Sequence, residues 1–389
     1  MSRNAPYATV RQVDEVAGHG VLDVRIEAFL SDPNGGDGRH RKGGRMNQLS
    51  GSLAEVRSWH RPLMIMVAAM SALVVVASFG LVVDGRELMQ ASVWAKPLKF
   101  GMSFVIYGAT LAWLLPKLAR ARRTMWTLGT VFAVTGIIDV GFIAVQAARG
   151  TYSHFNVNTD TFNQIGQAVF SSGVVGLFGA SLLIAVMLLF QRVGEPALTW
   201  SLRIGVGISV IGMALASFIR GQAGPDPRTA EDAYGNPVRL VGQHGVGAPD
   251  GDGMAITNWS TVGGDLRVPH FIGLHSIQVF VLAVVLLSAL AARISWLRSE
   301  RVRTQLIGVV ILGYTGLFII TTWQALRGQS LVHPDAATWT ALAVTAVVTV
   351  LLATLAILAA RRNEVVPADD WHESEVPVGP SSRDHSVAL

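Results

Sequence analysis

Asp139 stands well inside a long apolar run of the chain. A carboxylate at that depth in hydrocarbon is costly and points to a proton relay, a cation site or the buried partner of a base. The structural alternative is a hydrogen bond from the protonated acid to a neighbouring helix. Five histidines, His154, His244, His270, His275 and His333, lie between or at the ends of apolar runs. Gathered by the fold, such imidazoles could ligate a metal or the iron of a haem, with His154, His270 and His275 the first candidates. The spacing of His270 and His275 places them on different faces of a helix, whereas His275 and Gln278 share one. Arg149, Arg220 and Arg327 each precede a glycine at the end of a run. A cation there satisfies the last carbonyls and complements the helix dipole. Guanidinium forks also grip carboxylate or phosphate, and with Lys96, Lys99 and Arg267 they would ring an anion.

The elements that must position these groups follow from composition. Of 389 residues, 51% are hydrophobic and only 15% charged, and the mean hydropathy is +0.43. These values belong to a chain whose solvent is largely lipid. The net charge of +5 is scattered in short clusters, which argues against nucleic acid as a partner and for orientation in the bilayer. No cysteine is present, so disulfides, zinc-thiolate sites and iron-sulfur clusters are excluded. The sequence predicts an all-α membrane fold of eight transmembrane helices, near residues 62–83, 100–118, 125–148, 164–190, 202–219, 268–292, 306–325 and 339–360. The fifth is the shortest and carries Arg203 in its first turn. Basic loops after spans two and six, with Arg57, Arg61, Arg361 and Arg362, put both termini in the cytoplasm. Residues 1–56 read as a disordered segment, 57–362 as the membrane domain with a long extracytoplasmic loop at 221–267, and 363–389 as a disordered acidic tail.

"QAARG" at 146–150 returns as "QALRG" at 324–328, closing spans three and seven. "PLKFG" at 97–101 is echoed by "PHFIG" at 269–273, opening spans two and six. These echoes predict a parallel internal repeat of four plus four spans, with Gln146 and Gln324 at matching helix ends. Asp139 aligns with Leu317, so the halves differ chemically. "DGDG" at 250–253 lacks the third acidic position and the final Glu of a calcium loop. "NWS" at 258–260 fits a glycosylation acceptor only in a host that glycosylates. No Walker loop, GxSxG or HExxH occurs.

The stretches "WAKPLKF", "QAARGTYSHFN" and "NWSTVGGDLRVPHFIGLHSIQ" resemble those of an uncharacterised group of bacterial polytopic membrane proteins. The likeness covers most of residues 60–360. It implies a bacterial cytoplasmic membrane and carries over no functional residue. From the residues themselves, the leading expectation is an outward-facing polar pocket that binds a small anion for transport or sensing. Lys96, Lys99, Arg149, His154, Arg267, His270, His275 and Arg327 would line it, above Asp139 as a proton-linked carboxylate. The alternative is a membrane enzyme, a haem or metal oxidoreductase or a lipid hydrolase, using His154, His270 and His275. A third class is a scaffold with no ligand.

Overall fold

The computed structural model describes residues 56, 58–221, 227–247 and 253–365. The N-terminal segment 1–55, the tail beyond 365, residues 250–252 of "DGDG" and the side chain of Arg220 lie outside the described residues. Among the described residues, seven helices are long and apolar enough to cross a membrane, or eight if a bent pair counts as one span. They are α1 (Arg61–Val83), α2 (Ala95–Leu114), α3 (Arg122–Ala148), α4 (Thr161–Leu189), α5 (Pro196–Gly221), the pair α6 (Arg267–Leu274) and α7 (Ser276–Leu290), α8 (Glu300–Leu326) and α9 (Ala336–Val365). Most run past the apolar stretches that announce them, because polar groups cap their ends. Asp160 accepts from Asn163 N at 3.0 Å to start α4. Asp335 accepts from Thr338 N at 2.8 Å to start α9, each satisfying an N–H with no helical partner.

The fifth span is longer than its apolar core. Arg203 lies seven residues into α5 and donates back to Leu188 O and Gln191 O at 3.2 and 2.9 Å. It thereby closes the C-terminal end of α4. The sixth span is bent by 43° between α6 and α7. Such a break frees backbone carbonyls, which in lipid must find donors. Tyr314 of α8 donates to Ile272 O at 2.6 Å, and Ser276 Oγ donates to Gly273 O and to Gly205 O of α5, both at 2.7 Å.

In the first half α1 packs on α2 and α3, and α3 on α4. In the second, α5 packs on α6, α7 and α8, and α8 on α9; α4 meets α5 between them. Leu63, Met66, Leu111, Phe132, Ile184, Leu202, Val206 and Ile277 share a buried core. Large apolar side chains also point outward, among them Val75, Phe79 and Val82 on α1 and Val350, Leu351 and Leu355 on α9. An apolar rim around an apolar core is what a lipid solvent requires.

Among the described residues, the connections at one end build a cap with three short antiparallel strand pairs. These are β1 (Glu87–Leu88) with β2 (Ala91–Ser92), β3 (Arg228–Glu231) with β4 (Pro237–Leu240), and β5 (Gly245–Val246) with β6 (Gly264–Asp265). The segment after α3 joins β4: Asn156 bridges Leu240 and Val157 N donates to Arg239 O at 2.8 Å. That is what "TYSHFN" adds to the first helix end. At the opposite end the loops are short and tied by Arg303 to Glu195 at 2.7 Å and by Arg120 N to Gln191 Oε1 at 2.8 Å.

Candidate functional site at the capped end

Two corner modules come first, because the sequence echo falls on them. At the end of α3, Gly150 has φ 70, and Thr151 N and Gly150 N donate to Gln146 O and Ala147 O at 3.0 and 2.9 Å. At the end of α8, Gly328 has φ 74, and Gln329 N and Gly328 N donate to Gln324 O and Ala325 O at 3.2 and 3.0 Å. Both are glycine-terminated Schellman closures. The buried glutamine amides do the same work in each, since Gln146 Nε2 donates to Tyr152 O at 3.3 Å and Gln324 Nε2 to Ser330 O at 2.8 Å. Arg149 then reaches Gln146 Oε1 and Asp160, at 2.8 and 3.5 Å, and lies over the Phe162 ring. Arg327 grips Asp335 with two bonds of 2.9 and 3.1 Å and lies over Trp323. Both arginines thus staple one helix end to the next helix start.

Asp-x-Arg recurs as a second local device. Arg86 forks onto Asp84 at 3.0 and 2.7 Å, and Trp94 Nε1 donates to the same carboxylate at 2.7 Å. The Arg86 and Trp94 bonds hold the Asp84 carboxyl well below the usual carboxylate range. Arg267 forks onto buried Asp265 at 3.0 and 2.6 Å and donates to Asn258 O at 2.5 Å. The sequence reading missed Asp84, Arg86 and Asp265 as partners. The repeated spacing of "DGR" and "DLR" was the signal available.

Between the corners lies the central cluster. Lys99 Nζ donates to Thr257 O at 2.7 Å, next to the Asn258 carbonyl that Arg267 holds, and is within electrostatic reach of Arg267 and Asp265. His154 packs on Phe170 and Phe100, with ring centroids 4.7 and 5.9 Å apart, and feels Lys96, His244 and His270. Burial first, and those neighbours next, push the His154 imidazole well below its ordinary value. His270 Nδ1 lies 2.7 Å from Gly212 O. A carbonyl only accepts, so Nδ1 carries a proton, and in the neutral form the lone pair is on Nε2. His275, at the α6–α7 break, meets Ser103 Oγ of α2 at 3.1 Å. Deeper along α2, Tyr107 OH meets Ser209 Oγ of α5 at 3.0 Å. Polar contacts therefore continue from the cap into the contact between the two halves.

Lys99 is thus brought to Arg267, and Lys96, His270 and His244 to His154, with His275 beside His270; both groups fall at the starts of α2 and α6. Arg149 and Arg327 are each engaged in a corner, and Asp139 lies between α3 and α4 against Gly173. A surface depression of about 140 Å³ beside Arg149 is lined by Asp160, Asp232, Asn156 and Asn236. That carboxylate-bearing wall does not suit an anion. Among the described residues no three His, Asp or Glu side chains are grouped to hold a metal ion. His333 stands apart, near Thr261 O at 3.1 Å. The chain matches no protein-family model, no curated protein and no solved structure in the comparisons made.

Proposed function

We propose that the chain is a multi-pass protein of a bacterial cytoplasmic membrane, with both termini cytoplasmic, that binds a small anion at its capped outer end for transport or sensing. The observation that carries this reading is the approach of Lys99 to Arg267 at the starts of α2 and α6, with Lys96 in the same first turn of α2 and Asp265 already engaged by Arg267. Cations exceed carboxylates there, and two helix N-termini add partial positive charge. The imidazoles of His154, His244 and His270 border the same place. The α6–α7 break supports a transport role, since discontinuous spans build ion and substrate sites in many transporters. The matched corner modules favour a parallel repeat of four plus four spans. So does the placing of Gly101 against Val74 of α1 and of Gly273 against Gly212 of α5.

Thermal unfolding of the solubilised protein with phosphate, succinate or acetate, against chloride at equal ionic strength, tests the reading. An anion at a hundred times its Kd stabilises by about 2.7 kcal/mol. One anion class should raise Tm, and Lys99→Met should remove the rise. No rise with any of them, or the same rise in Lys96→Met and Lys99→Met, would reject it.

A further inference from the structure

The contact between α3 and α4 holds a second site, independent of the anion reading. Asp139 is 3% exposed, and neither carboxyl oxygen has a hydrogen-bond partner. It lies nine residues, about 14 Å along the axis, from the capped end of α3. The two helices approach closely where α4 offers glycine to a side chain of α3, at Gly176 to Thr135, Gly173 to Asp139 and Gly166 to Phe142. A Cβ on Gly173 would overlap Asp139 Oδ1, so the carboxyl occupies the space that this glycine leaves.

Among the described residues, no charged or titratable partner answers it from the elements packed on α3. α4 contains no Asp, Glu, His, Lys or Arg. α1 contributes Arg61 at its first residue and His60 at its N-cap, the latter bonded to Trp126 O near the far end of α3. On α2, Lys99 is bonded to Thr257 O, Tyr107 to Ser209, and Lys96 is beside His154; Lys117, just beyond, lies over Trp113. The other charges of α3 are Arg122 and Arg123, about 25 Å away along the axis. Thr135, one turn from Asp139, gives its hydroxyl to Val131 O and Phe132 O of its own helix.

A metal cation would need several further oxygens in its shell, and α4 presents a bare glycine there. A proton needs only the carboxyl. We propose that Asp139 is a proton-binding site in the membrane interior, occupied while α3 and α4 are packed and emptied when they part. A carboxylate left between them would have neither water nor counter-charge. On separation the O–H bond breaks, the electron pair stays on the carboxylate and the proton passes to admitted water. Because α4 also packs on α5, the movement reaches the second half.

The full chain in phosphatidylcholine vesicles gives the test. Infrared difference spectra at pH 7 should show the carbonyl band of a neutral carboxylic acid in the wild type and not in Asp139→Asn. Absence of that difference would overturn the proposal. Gly173→Ala should evict the carboxyl and remove the band; an unchanged band would overturn the α3–α4 placement. With no native cysteine, Thr135→Cys reports the parting of the helices. Its maleimide reaction should rise with pH faster than in an Asp139→Asn background, the excess growing by up to about tenfold per pH unit as the ionised fraction does. Equal pH profiles in the two backgrounds would overturn the coupling. Anion-induced Tm shifts measured in Asp139→Asn report on the other reading, so the two proposals fail separately.

Discussion

At the capped end, the fold constrains the charge state of His154. Its ring is enclosed by Phe100, Phe155 and Phe170, and burial holds its pKa well below 6.5. An unfolded cap would have an ordinary imidazole near 6.5. Between the folded value and 6.5 the unfolded state therefore binds more protons, and stability rises with pH across that window. The contribution is complete above about 6.5 and declines as pH falls through the window. Hydrogen exchange of the cap amides at pH 7.5 and 5.5 should show loosening at the lower pH. His154→Gln should weaken that dependence, and an unchanged profile would remove His154 from the account. His60, at the opposite end, was not singled out by the sequence reading. Leu63 N donates to its Nδ1 at 3.3 Å, so Nε2 bears the proton and donates to Trp126 O at 2.9 Å. Its pKa is also lowered, mainly by burial. Acid therefore strains both ends of the molecule, and the localised exchange measurement separates them.

For the helices, the break between α6 and α7 shows what hydropathy conveys and what it leaves out. Residues 268–292 read as one continuous run, because lipid selects for apolar surface whether the backbone is straight or bent. Gly273, His275 and Ser276 interrupt that run with small and polar groups, and they are where the bend falls. Positions of all eight apolar runs were legible for the same reason of composition. Their ends were less so, since α2 begins at Ala95 and α8 at Glu300, where Lys96 and Arg301 depress the apolar score. Gln146, Arg149, Gln324 and Arg327 were legible as helix closures because glycine after a cation has a local signature. Their partners were not, because Asp160 lies eleven residues beyond Arg149 and Asp335 eight beyond Arg327, with no fixed spacing to search for. Tyr314→Phe tests the energetics of the bend. It removes the donor to Ile272 O and leaves that half-buried carbonyl unsatisfied, at a cost of about 1–3 kcal/mol. Thermal unfolding should report the loss. A neutral effect would mean that the carbonyl finds another donor.

Across the whole molecule, the two ends differ in a way that bears on orientation. The capped end spends its charges in pairs: Asp84 with Arg86, Asp160 with Arg149, Asp265 with Arg267 and Asp335 with Arg327. The other end is bordered by Arg120, Arg293 and Arg298 in short connections and by Arg122, Arg123 and Arg301 in the first turns of α3 and α8, with Glu195 bonded to Arg303. Basic residues near the ends of the spans with no carboxylate partner among the described residues are what the positive-inside bias acts on, whereas paired ones contribute little net field. Both termini share the basic end if α6 and α7 form one span, because the number of crossings is then eight. Seven crossings, with α6 and α7 as a re-entrant pair, would place α8 and α9 in the opposite sense. Yet Ser330, after α8, donates to Ser260 O of the cap at 3.1 Å, and His333 lies against Thr261 O, which ties the α8–α9 turn to the same end as the cap. The α8–α9 turn and the cap therefore lie at one end, the arrangement that eight crossings require. Single cysteines at exposed Thr159 and Val332 should react with an impermeant maleimide in intact cells, whereas one at exposed Ser295 should react only after lysis. Labelling of Ser295→Cys in intact cells, with protection of the other two, would invert the molecule and put the cationic cluster on the cytoplasmic side. Labelling of Thr159→Cys without Val332→Cys would instead separate the two halves by a crossing and end the parallel-repeat account.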